Sequence, residues 1–179
     1  MPGEQSVYVH IQMGVALYKL GDIGGSEKKF REAKRLFPDN AEVYNYHGEI
    51  LLDRQAWKEA ESSLDKSIEM NPTSPLAYIN KSVLYLQGKQ NIQSAEAVIR
   101  TALDHDPTCD IALAQLAQIL CHQNRMDDAL DVYETALTHS RTYGEIVNVI
   151  SSMEAAKAQR YIGKMYPDEM ARLLPPATN

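Results

Sequence analysis

The chain has 179 residues, 44% hydrophobic and 23% charged, an ordinary composition for a folded domain with apolar material for one extended core. A formal charge of −6 gives no basic footprint for a nucleic-acid backbone, and two cysteines, Cys109 and Cys121, are too few for a disulfide framework. No run approaches the ~18 consecutive apolar residues of a membrane span, so neither a nucleic-acid partner nor a membrane span is expected.

In chain order, the hydrophobic periodicity predicts helices near 7–20 and 23–36, then 41–53 and 57–70, 75–87 and 91–105, and 110–123 and 126–139. These segments form a repeat. Small residues recur as Gly14, Gly48, Ser82 and Ala117, at intervals of 34, 34 and 35, and again as Ser26, Ala60, Ala95 and Ala129, at 34, 35 and 34. Phe30, Leu64, Ile99 and Tyr133 keep the same steps, and Pro38, Pro72 and Pro107 close the first three units. Small residues let two antiparallel helices approach, and the larger residue of each second helix fills the space between pairs. The single extra residue is expected in the turn around Gly88 to Gln93, where an insertion costs little. After the fourth pair, Glu145 to Tyr166 continues as a helix with Ile146, Val149, Ile150, Met153 and Ala156 on one side, placed to cap the end of the stack.

This period, with its small-residue and proline placement, resembles the tetratricopeptide repeat over residues 7–141. It departs at the early aromatic of the first helix, where His10 and Leu113 replace the aromatics seen as Tyr44 and Tyr78. The resemblance implies an all-α right-handed superhelix, an α-solenoid, with repeats at 7–40, 41–74, 75–109 and 110–143, a capping helix at 144–166 and a tail at 167–179.

Catalytic signals are weak. Gly21 to Gly25 lacks the Lys-Ser/Thr of a phosphate loop and reads as an inter-helix turn. Cys121 and His122 are adjacent on a helix and point in different directions, so they suit neither a metal nor a nucleophile–base pair. Asp127 and Asp128 read as helix-start charges. No catalytic residue, metal ligand or cofactor is expected.

In tetratricopeptide stacks the first helix of each pair lines a concave surface. Counting from Val7, Ala41, Pro75 and Asp110, the inward places are expected to be the second, fifth, ninth, twelfth and thirteenth. They bring forward Tyr8, Ile11 and Tyr18, then Glu42, Asn45, Glu49 and Asp53, then Ile79, Val83 and Leu86, and Gln118 with His122. The expected groove is apolar with an acidic stripe. Ile11, Val15 and Leu76 stand where members that clamp the carboxylate of chaperone tails carry basic or amide side chains, so an anionic tail is expected to be rejected.

A narrower resemblance runs through Leu51 to Glu61, Tyr85 to Gln90, Asp106 to Asp110, Arg125 to Leu137, Ser140 to Thr142 and Met153 to Gln159. These stretches look like the C-terminal part of the large tetratricopeptide import receptors of the mitochondrial outer-membrane translocase. That resemblance implies a preprotein-binding region at the cytosolic face of the mitochondrial outer membrane, with mitochondrial preproteins and other translocase subunits as partners, and the groove is expected to recognise hydrophobic or internal targeting segments of those preproteins. It further implies that the anchor lies upstream, and that cytosolic chaperones engage only through repeats outside this chain. A scaffold subunit and a chaperone-tail-binding cochaperone are the alternative readings.

Overall fold

A computed structural model describes residues 4–167, which hold nine α-helices and no strand. They are α1 (Glu4–Lys19), α2 (Ile23–Leu36), α3 (Ala41–Asp53), α4 (Trp57–Met70), α5 (Pro75–Val83), α6 (Ile92–His105), α7 (Asp110–His122), α8 (Met126–His139) and α9 (Tyr143–Met165). All but Pro167 of the expected tail lies outside the described residues. The helices group into two compact units, one reaching Pro107 and the other starting at Thr108.

Helix starts follow from side-chain chemistry. Asn40 Oδ1 accepts from the backbone N–H groups of Glu42 (3.1 Å) and Val43 (3.2 Å), which satisfies two donors that α3 cannot pair internally. Asp22 and Asn91 cap α2 and α6 in the same way. Thr142 and Glu145 form a reciprocal capping box at α9.

In the first unit α1 packs on α2, α3 on α4 and α5 on α6, and the first helices α1, α3 and α5 are neighbours in that order. The small-residue column is a steric requirement. A Cβ at Gly14 would fall 2.6 Å from Phe30 Cε2, and one at Gly48 would fall 2.7 Å from Leu64 Cδ2. Gly48 therefore receives Leu64, the large residue of α4. Phe30 goes further: its ring stacks on His47 of the next pair at 5.1 Å between centroids. Val7, Ile11, Phe30, Ala33, Val43 and Ile50 form one core cluster, and Leu51, Leu52, Ala60, Leu64 and Leu84 a second.

Each pair turns through one residue of positive φ: Gly21 (83°), Gln55 (58°), Gln90 (50°) and Asn124 (60°). A backbone bond closes the turn from the next residue. Asp22 donates to Leu17, Ala56 to Leu51 and Arg125 to Leu120, each at 2.9 Å and each spanning five residues. In the third pair Asn91 donates to Tyr85 at 2.8 Å, spanning six. The extra residue thus lies inside the last helical turn rather than in the loop beyond it. There Leu84–Gly88 forms a π-helical turn that continues α5, with Lys89 N–H donating to Leu84 C=O at 3.1 Å. The wider turn brings Gly88 onto the Trp57 ring, 2.8 Å from Cδ2 to where a Cβ would sit.

In the second unit α7 packs on α8 and α8 on α9. Val149 and Ala156 are buried, whereas Ile150, expected on the same side, is exposed. It lies one residue round the helix from Val149, about 100° away.

Candidate peptide-binding face

The predicted site residues separate into three groups. Ile11 is 0% exposed and belongs to the core of the first pair, so it cannot meet a ligand. Asn45 is 6% exposed, and its Oδ1 accepts from Asn80 Nδ2 at 2.9 Å. Ile79 is buried as well. These three are the fifth-place residues of their helices, and the structure corrects that column from groove to core. The fifth place lies three residues before the small residue that receives the partner helix, so it turns inward with it.

Tyr8, Glu42, Glu49 and Asp53 stay at the surface or half-buried. They fall on the second, ninth and thirteenth places. Successive steps of four, three and four residues make a straight stripe along a helix, and that stripe also passes through the sixth place, which the sequence reading left out. The sixth-place residues are Gln12, Tyr46 and Asn80, all half-buried or exposed. Half-buried Tyr18, Val83 and Leu86 lie at its margins: Tyr18 packs against the first core cluster and Val83 against the second. Gln118 and His122 are exposed one turn apart on α7, in the second unit.

Two features give the face of the first unit its chemistry. Tyr8 Oη donates to Glu42 Oε1 at 3.1 Å, tying α1 to α3, while the other carboxylate oxygen of Glu42 is shielded from water with no hydrogen-bond partner. Further along, a pocket of about 280 Å³ opens between the same helices, with Tyr18 and Lys19 on α1 and Tyr46, Glu49 and Asp53 on α3. Burial pushes the Glu49 carboxyl above its ordinary value, and the like charge of Asp53 adds to this, against the pull of Lys19. Two carboxylates and two aromatic rings around one hollow favour an organic cation, through charge pairing and ring faces. In the second unit burial pushes the Cys121 thiol up, against a hydrogen bond with Tyr133.

The paired helices, their small-residue contacts and their repeated turn place the chain among the tetratricopeptide-repeat proteins, to which it belongs: tetratricopeptide-repeat family models match residues 11–75 and 86–146. Within that class it is homologous to part of the mitochondrial import receptor subunit TOM70. It is 28% identical over 169 residues to that of Homo sapiens, covering 90% of this chain and 28% of the relative. To that of Saccharomyces cerevisiae it is 30% identical over 160 residues, covering 85% of this chain and 26% of the relative. The crystal structure of yeast Tom70 matches with a TM-score of 0.76 at 28% identity, over 88% of this chain and 34% of that one. A crystal structure of MamA, 17% identical with a TM-score of 0.61 over 89% of this chain and 94% of its own, shares the fold. The chain spans about a quarter of the length of the curated relatives it matches.

Proposed function

We propose that the α1–α3–α5 face of the first unit binds targeting segments of mitochondrial preproteins, as part of an import receptor acting at the cytosolic side of the outer membrane. The pocket between Tyr18, Tyr46, Glu49 and Asp53 carries the reading, because it suits a basic side chain of a segment that alternates basic and apolar residues. Half-buried Glu42, held by Tyr8, adds a further negative charge to the same face. Exposed Leu76 and half-buried Val83 and Leu86 on α5 and its π-helical continuation supply the apolar part of the face. Each apolar side chain fully buried there contributes about 1.5–3 kcal/mol, against an association cost of about 4–15 kcal/mol. The balance gives modest, reversible affinity, which suits a receptor that must release its cargo. An acidic chaperone tail meets carboxylates here, and Lys19 is a single exposed cation beside two of them.

Fluorescence anisotropy with a labelled basic-apolar targeting peptide and a labelled acidic tail peptide tests this. The targeting peptide should bind and the acidic one should not. Glu49→Lys should weaken the targeting peptide by about tenfold, the scale of one well-placed charge pair, with the circular dichroism spectrum unchanged. Binding of the acidic peptide alone makes the chain a tail-binding cochaperone. Binding of neither leaves a scaffold.

A further inference from the structure

A second cluster lies away from that face, where α2, α3 and α4 meet. Lys34 Nζ of α2 is 2.8 Å from His47 Nδ1 of α3 and 3.0 Å from Ser63 Oγ of α4, and it stands over the Tyr44 ring at 4.7 Å from the centroid. Its neighbours are an imidazole, a hydroxyl and an aromatic face in place of a carboxylate. The nearby Glu27 is engaged elsewhere, by His47 Nε2 at 3.2 Å and by the Arg54 guanidinium. Across the cluster α4 brings Lys58 and Lys66, together with Glu61 and Asp65, which pair with Lys89 and Lys81. Lys34, Tyr44, His47 and Ser63, with Lys58 and Lys66, border an open hollow of about 1030 Å³, large enough for a small-molecule reactant.

We propose that Lys34 is a nucleophilic lysine at which the chain is acylated by an acyl thioester. The amine nitrogen attacks the thioester carbonyl, so a C–N bond forms, the C–S bond breaks and a thiolate leaves. The amine proton passes to His47 Nδ1 and from there to the departing thiolate. His47 is set up for this role. An ammonium group can only donate, so Nδ1 accepts from Lys34, and Nε2–H is held by Glu27 Oε2. Burial, and then the charge of Lys34, hold His47 below the usual imidazole range, which keeps Nδ1 free to accept. Burial also lowers the Lys34 amine to about 8, whereas a hydrogen bond to Glu69 raises Lys66 on the rim of the same hollow. A desolvated lysine without a carboxylate partner is how an amine becomes reactive near neutral pH.

The test is site-resolved mass spectrometry of the whole chain treated with a small acetyl thioester over a range of pH, with Lys58 and Lys66 as internal references. Lys34 should acetylate about tenfold or more faster than either at neutral pH, a gain set by its larger neutral fraction and reduced by its lower basicity. Its rate should level off around pH 8, while that of Lys66, raised by its hydrogen bond to Glu69, keeps rising. His47→Gln should slow Lys34 several-fold and leave Lys58 unchanged, and Lys34→Arg should remove the label. A Lys34 rate no greater than that of Lys66, or one that climbs in parallel with it to high pH, overturns the proposal. That comparison needs only the unaltered protein, so it decides the matter even if His47→Gln fails to fold.

Discussion

At the residue scale, the candidate face is governed by how far each carboxylate is free. Glu42 is tied to Tyr8, whereas Glu49 sits beside Asp53 in the pocket with its carboxyl raised above 4.5 by burial first and like charge second. The sign of the linkage follows. A raised acid binds its proton more tightly in the folded state, so the free protein loses a little stability as pH climbs from 4.5 through the raised value. A bound cation works in the opposite direction because it favours the ionised form. Affinity for a basic peptide should therefore begin to fall, on acidification, at a pH above 4.5. Glu49→Gln should flatten this part of the profile in anisotropy titrations, and an unchanged profile would remove Glu49 from the contact.

At the scale of the elements, the helix pairing was legible because its cause repeats: a Gly or small residue must stand wherever Phe30 or Leu64 enters. The face was legible only in part. Tyr8, Glu42, Glu49 and Asp53, expected to line the groove, are exposed or half-buried, yet Ile11 and Asn45 turn inward, and Tyr46, on the same stripe as Glu42 and Glu49, carries no sign of its place in the period. An apolar Ile looks the same in sequence whether it lines a groove or fills a core. The Lys34 cluster leaves no mark in the period, since its members come from 13 and 29 residues away on different helices. The extra residue of the third pair was visible as an interval of 35, but its place inside the helix depends on where the closing bond falls. The consequence is testable at Gly88, where an added methyl would meet a flat indole ring rather than a flexible chain end. Gly88→Ala should destabilise the chain by about 1–2 kcal/mol in denaturant titrations, as overpacking does. A neutral result would show that Trp57 swings aside freely.

For the whole molecule, the net charge of −6 sets a long-range field that favours basic ligands before any contact forms. Raising the salt concentration should slow association with a basic targeting peptide several-fold while changing its dissociation little, which stopped-flow mixing separates. A salt-independent association rate would confine the electrostatics to the pocket itself. The closure of the π-helical turn over Trp57 has an optical counterpart. Trp57 is the one tryptophan in the chain, so the indole emission of the protein comes from a single place in the first unit, where α4 meets the end of α5. Its colour and quenching by iodide therefore report whether that turn is seated, without any introduced label. Ten tyrosines distributed along the chain give no such local signal.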